Sequence, residues 1–474
     1  MKWLLLLTAF HCLPVSADEY RFIFDGRPIE ARVMSIDEDA KNPEEGIVGW
    51  LERYPLVLGK AGTCEFSTER RKEGIVLGRF PGEAGFRPVF VIVSMRYEGD
   101  GDATKEILVD PLATMSAEDK AGLRGVLIKR LPKDMEKSFE GVPWSQTVLC
   151  FENADFTGEA LRLLPEKLCY LLIRNAPDDA DLSAVWKMKQ LLWLAISGPD
   201  EIDCSDVMAL GKLRSLDLSH VGLKQVGSLA ALKDLRHLSL RSAGGLNDIG
   251  FTASLPKLQS LDVSGTGVGD LRPLGKLSEL QEVDAGFTHV TRLPDGPGLV
   301  ALKKLRLLSV KVPAAEIAGF RKVVPACRID DTWHGALLGE LDGVDRMRVR
   351  SLGFPDPSKA TTLFELLDPA AIRREVESWT IQERDGISYC LCDGGPIIEF
   401  YQGERLVATV GVQHGQSLRW RGWVGDAELT QEGADSLCRL LGEHGIDGPG
   451  KELEESREAG VPPSDERSGE AEER

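Results

Sequence analysis

Two cysteines one residue apart, Cys390-Leu391-Cys392, are the densest grouping of reactive side chains in this sequence. On a strand, residues i and i+2 share a face, so both sulfurs would point the same way. With His414 and Cys438 they would supply four ligands of the kind zinc takes, or a thiol pair for redox exchange. Metal-binding cysteines usually stand two or more residues apart, and there is one such pair here. Structural thiols or disulfides are therefore the expectation, and no metal and no cofactor. His414-Gly415-Gln416-Ser417 sets a histidine near a serine. Nearness in sequence does not aim a base at a nucleophile, and no Gly-x-Ser-x-Gly elbow accompanies the pair. A Walker loop, a dinucleotide fingerprint and a His-Glu-x-x-His helix are also missing. The chain is expected not to be an enzyme.

A second set of side chains could recognise a partner without reacting with it. Tyr170, Trp193, Asp217, His237, Arg241, Asp262, Glu282 and Asp284 recur at equivalent places along the middle of the chain. If these places lie on neighbouring strands, an aromatic end grades into an acidic centre. Asp262 and Asp284 would then sit ~5 Å apart. Like charges that close raise one pKa or recruit a cation. The functional reading is a surface for a protein, peptide or glycan; the plain one is a solvated polar face.

The elements that must position these residues are set by a leucine register. Leu168, Leu171 and Ile173 are followed by Leu191, Leu194 and Ile196, then by Leu213, Leu216 and Leu218. The pattern returns at Leu235, Leu238 and Leu240, at Leu258, Leu261 and Val263, at Leu280, Val283 and Ala285, and at Leu305, Leu308 and Val310. Steps of 22 to 25 residues mean a solenoid whose units bury their apolar faces only against each other. Each unit opens with a short strand, and the strands should stack as one parallel sheet at ~4.8 Å.

Leu258-Gln259-Ser260-Leu261-Asp262-Val263-Ser264-Gly265-Thr266-Gly267 resembles a bacterial leucine-rich repeat of the 22-residue, internalin-like kind. Phe320 to Ile329 is similar to the closing unit of such arrays. The resemblance implies an α/β solenoid, a leucine-rich-repeat horseshoe, over 145–332. The asparagine that often ladders the turn is replaced by Val221, Ala243, Thr266 and Thr288. Residues 333–446, with Cys390-Leu391-Cys392, Glu399-Phe400-Tyr401 and His414 to Trp420, resemble an uncharacterised α+β module that accompanies such repeats. That resemblance implies no activity.

The rest of the chain fills in around the repeats. Residues 1–17 have the layout of a secretory signal: Lys2, an apolar run from Trp3 to Leu13, and Val15-Ser16-Ala17. Export to the periplasm or the exterior is expected, with no transmembrane segment in the mature chain. Eight cysteines then remain, few enough that several should be buried apolar groups. Residues 18–144 read as a separate α+β or mostly β domain, with a strand at Phe86–Met95 and a helix over Ala117–Leu131 capped by Ser116. In the C-terminal module, Asp368 and Thr430 are N-caps of helices reaching about Trp379 and Glu443. Residues 447–474 are acidic and poor in apolar side chains, so disorder is expected. A net charge of −18 over 474 residues disfavours nucleic acid as a partner.

Overall fold

The structure is a computed structural model that describes residues 20–24, 27–29, 32–35, 47–51, 54–58, 62–67, 69–70, 73–98, 105–153, 161–352, 360–383, 390, 392, 394–423 and 425–458. The expected signal segment and the strand expected at Ile387–Cys392 lie outside these residues, apart from Cys390 and Cys392. The chain divides between Ile329 and Asp330 into two compact units.

The first unit is built on the leucine register. Leu171 pairs with Leu194, Leu194 with Leu216, Leu216 with Leu238, and Leu238 with Leu261 in parallel ladders. Val283 and Leu305 continue the column. All are buried. Full burial of each leucine side chain stabilises by roughly 1.5–3 kcal/mol, and no single unit could bury its own. This is a leucine-rich-repeat solenoid. The chain returns between strands through 3₁₀ turns such as Leu182–Lys187, Val226–Ala231 and Arg272–Lys276. A 22-residue repeat leaves too few residues there for a full α-helix.

In each repeat a left-handed residue follows the strand by one to three places. Asn153, Asn175, Gly198, His220, Ser242, Gly265, Phe287 and Ser309 all have positive φ. At the turn itself, the Thr266 and Thr288 hydroxyls donate to the carbonyls of Val263 and Ala285, both at 2.6 Å. These local bonds replace the missing asparagine ladder.

Three expectations need correction. First, the last repeat is framed by Leu302, Leu305 and Leu307, because Val283 pairs with Leu305, not Leu308. The step is 22 residues, not 25. Second, no break separates 18–144 from the repeats. Gly125–Ile128 pairs in parallel with Val148–Glu152 on one side and with Phe90–Val93 on the other. The helix expected over Ala117–Leu131 ends at Ala121, and Gly125–Ile128 is a fully buried strand. Ser116 does cap that short helix, accepting from the N–H of Asp119 at 3.1 Å. Third, Gly448–Glu458 is a helix with Pro449 and Leu453 buried, within the tail expected to be disordered.

The second unit is α+β. Six antiparallel strands run in the order Thr362–Leu366, Arg346–Arg350, Ile397–Gln402, Arg405–Gln413, Ser417–Trp420, Asp426–Glu428. Pro369–Ser378 and Gln431–Glu443 begin at the caps read from the sequence, Asp368 and Thr430.

Candidate functional sites: the repeat sheet and a thiol–imidazole cluster

The face of the repeat sheet opposite the leucines has two parts. At its N-terminal end it is core. Tyr170, Leu172, Trp193 and Ala195 belong to a buried cluster with Phe22, Leu56, Leu58, Phe66, Phe90 and Leu127. Tyr170 and Trp193 are 1% and 0% exposed. They were expected at an open recognition surface. Apolar side chains of the strands around residues 54–66 pack in the same cluster instead, because aromatic and aliphatic surface gains by leaving water.

Further along, the rows are polar and largely satisfied by their own neighbours. The Oδ1 atoms of Asp217, Asp262 and Asp284 accept the N–H of Ser219, Ser264 and Gly286 at 2.9, 3.0 and 3.0 Å. Each carboxylate thus ends its strand by closing a local turn onto the residue two ahead. The Ser219 hydroxyl also meets Ser239 at 2.8 Å, and His237 Nδ1 meets the Ser260 hydroxyl at 2.9 Å. Asp217, His237, Arg241 and Asp262 are buried; Glu282 and Asp284 are half-buried.

The corrected frame changes the electrostatics. Glu282 stands beside Lys304, and Asp284 beside Arg306. Arg241 binds Asp262 at 3.0 Å and approaches Asp284 at 3.9 Å, while Arg306 approaches Asp284 at 3.8 Å. The cation that the adjacent Asp262 and Asp284 call for is the protein's own arginine pair. Burial pushes the Asp217 carboxyl up to about 6. Burial, with Asp262 alongside, also holds Asp284 above the usual range. The acidic centre expected from the sequence is therefore a mixed-charge network. The left-handed residues went unnoticed in the sequence, although Asn153, Asn175, Gly198 and Gly265 mark four of the eight bends.

In the second unit, Cys390, Cys392 and His414 converge. Their ligand atoms lie within 4.8 Å of one another. The two sulfurs are 2.6 Å apart, and His414 Nε2 is 3.4 Å from the Cys390 sulfur. His414 Nδ1 lies 2.9 Å from a Glu452 carboxylate oxygen, and the Cys392 thiol donates to Gln413 Oε1 at 2.8 Å. Burial raises the Cys390 thiol, but hydrogen bonds with Cys392 and His414 outweigh it and hold the group below its ordinary value. Burial and the neighbouring thiol push Cys392 up to about 11. Cys438 stays apart: its sulfur packs on the Gly415 carbonyl at 3.9 Å.

The chain is thus a leucine-rich-repeat solenoid protein carrying an antiparallel α+β unit at its C-terminal side. No family model matches the sequence, and no curated protein does. Among solved structures it is similar to an internalin of Listeria monocytogenes, at 18% identity over 43% of this chain and 64% of that one, with a TM-score of 0.34. It is also similar to a leucine-rich-repeat protein of Leptospira interrogans, at 22% identity over 44% and 55%, with a TM-score of 0.36. A second Listeria monocytogenes internalin matches at 19% identity over 45% and 87%, with a TM-score of 0.32. The chain spans less than two thirds of the first two proteins. The repeat assignment rests on the register of this chain's own strands.

Proposed function

We propose that this chain is an exported, non-enzymatic binding scaffold whose repeat sheet recognises a protein, peptide or glycan. The observation that supports this is the polar half of the sheet face, where the ladder sets Glu282 beside Lys304 and Asp284 beside Arg306. Asp217, His237, Arg241 and Asp262 fix the shape of that face from within. Glu282, with Lys304 beside it, and Asp284 are the half-buried groups that reach a ligand. Tyr170 and Trp193 drop out of the contact set because they are core. A partner offering both signs of charge matches this surface better than a purely basic one. A nucleic-acid partner is disfavoured by the net charge of −18. Export rests on the signal-like residues 1–17; among the described residues, no helix is long and apolar enough to cross a membrane.

The test is capture with the immobilised full chain from the native extracellular or periplasmic fraction. Reversing one charge, Glu282→Lys or Lys304→Glu, is expected to weaken capture of the same partner about tenfold, ~1.4 kcal/mol. Undiminished capture by both variants would remove this face from the proposal.

A further inference from the structure

We propose that Cys390, Cys392 and His414 form a zinc site, with Glu452 orienting the imidazole and a fourth position left to solvent. The three donors are of the type zinc binds, and they converge from two separate segments of the second unit. Convergence alone is a common accident, so the support around them matters more.

Three features hold the donors in place. The first acts on the Cys-x-Cys backbone. Arg419 donates to the carbonyls of Cys390 and Cys392, at 2.5 and 3.2 Å, and is itself held by Asp426 at 2.7 and 2.8 Å. Asp426 Oδ2, one of the two oxygens Arg419 holds, also accepts the Cys390 N–H at 2.7 Å. One buried carboxylate and one guanidinium therefore pin both cysteines. The second acts on the imidazole. A carboxylate on Nδ1 selects the tautomer whose Nε2 lone pair is free to coordinate, and Nε2 is the atom facing Cys390. The third brings that carboxylate in. Glu452 rides on Gly448–Glu458, and this helix approaches so closely that a Cβ on Gly415 would lie 2.4 Å from the Pro449 carbonyl oxygen. Gly415 has a φ of +66° and His414 one of +51°. The turn is shaped for the helix to seat and for the histidine to reverse toward the thiols.

The chemistry balances simply. Zinc binding takes both cysteines as thiolates, so two protons leave to solvent while His414 keeps its Nδ1 proton on Glu452. In a tetrahedral site the two sulfurs stand roughly 3.7 Å apart, so they must spread by about 1 Å from their 2.6 Å separation. Rotation about χ1 of either cysteine supplies that. His414 is exposed and both cysteines are half-buried, so an ion can enter.

The test uses the full chain, purified under reducing conditions, stripped with chelator and titrated with zinc or with cobalt(II) as a spectroscopic probe. One ion per chain is expected, with a thiolate-to-cobalt charge-transfer band and the release of two protons. The Cys390→Ser, Cys392→Ser double variant should lose the band. Glu452→Gln should keep the stoichiometry but bind about 10–100-fold more weakly. Cys438→Ser should bind as the parent does, which controls for general thiol effects. An unchanged far-ultraviolet spectrum in the double variant guards against misfolding. The proposal fails if the reduced parent binds no ion and instead forms a Cys390–Cys392 disulfide on exposure to a thiol oxidant. It also fails if the double variant retains the ion.

Discussion

At the scale of single residues, the repeat sheet shows how a charge becomes structural. Asp217 reads from the sequence as a ligand-facing carboxylate. In the fold it is buried and spent on Ser219, at 2.9 Å to the backbone N–H. Its pKa rises from an ordinary 3.8 to about 6. A raised acid binds its proton more tightly when folded, so stability falls as pH climbs through that window and the full loss is present above it. Asp217→Asn keeps an acceptor for Ser219 and carries no charge. Its melting midpoint should exceed the parent's above pH 6, by up to ~3 kcal/mol in stability, and the gain should vanish near pH 4. An identical gain at both pH values would contradict this. Arg241 has the opposite character, since Asp262 and Asp284 depend on it. Arg241→Met should cost about 3–5 kcal/mol in a denaturant titration, because it strands buried carboxylates. A neutral outcome would mean the carboxylates are better solvated than their burial implies.

At the scale of elements, the repeat bend is the feature most exposed to test. Gly198 takes a φ of +115°, and a Cβ there would lie 2.4 Å from both the N and the O of Ala176. Gly198→Ala should destabilise by ~2–3 kcal/mol or more, whereas Gly211→Ala, with open space around it, should be near neutral. Equal effects in thermal melts would undo the bend assignment. The elements also show what could be read in advance. Some caps were legible, since Ser116, Asp368 and Thr430 each bond their own helix, but Asp134 and Thr332 do the same and were not read. The leucine column was legible through six repeats and then slipped. Leu299, Leu302, Leu305, Leu307 and Leu308 satisfy two frames, and only the pairing of neighbouring strands chooses between them. Gly125-Val126-Leu127-Ile128 was misread because four consecutive apolar residues carry no period. The burial of Tyr170 and Trp193 was out of reach altogether. It depends on strands more than a hundred residues upstream, while periodicity describes only a strand's own two faces. Of the thiol cluster, the shared face of Cys390 and Cys392 could be read, but Glu452 could not, since it lies in a stretch whose composition argues for disorder.

At the scale of the whole molecule, an open-ended solenoid needs covers for its terminal units. The N-terminal strands supply one by extending the ladder through Gly125–Ile128 to Phe90–Val93. At the other end, Ala314–Val323 contributes Phe320 to the core, and Cys327 adds to it. A fragment of residues 145–332 therefore exposes Tyr170, Leu172 and Trp193, and it should aggregate or bind a hydrophobic dye. A fragment of residues 18–332 should not. Soluble, dye-silent behaviour of the shorter piece would restore an independent N-terminal domain. The central claim is that one parallel ladder runs from Gly125–Ile128 to Lys304–Arg306 in steps of 22 or 23 residues, the last included. Paired cysteine substitutions test it directly, since neighbouring register partners fall within disulfide reach. Under mild oxidation, peptide mapping of Glu282→Cys with Lys304→Cys should find a cross-link, and Glu282→Cys with Leu307→Cys should give none. A cross-link to 307 in place of 304, or none at either, would contradict the ladder.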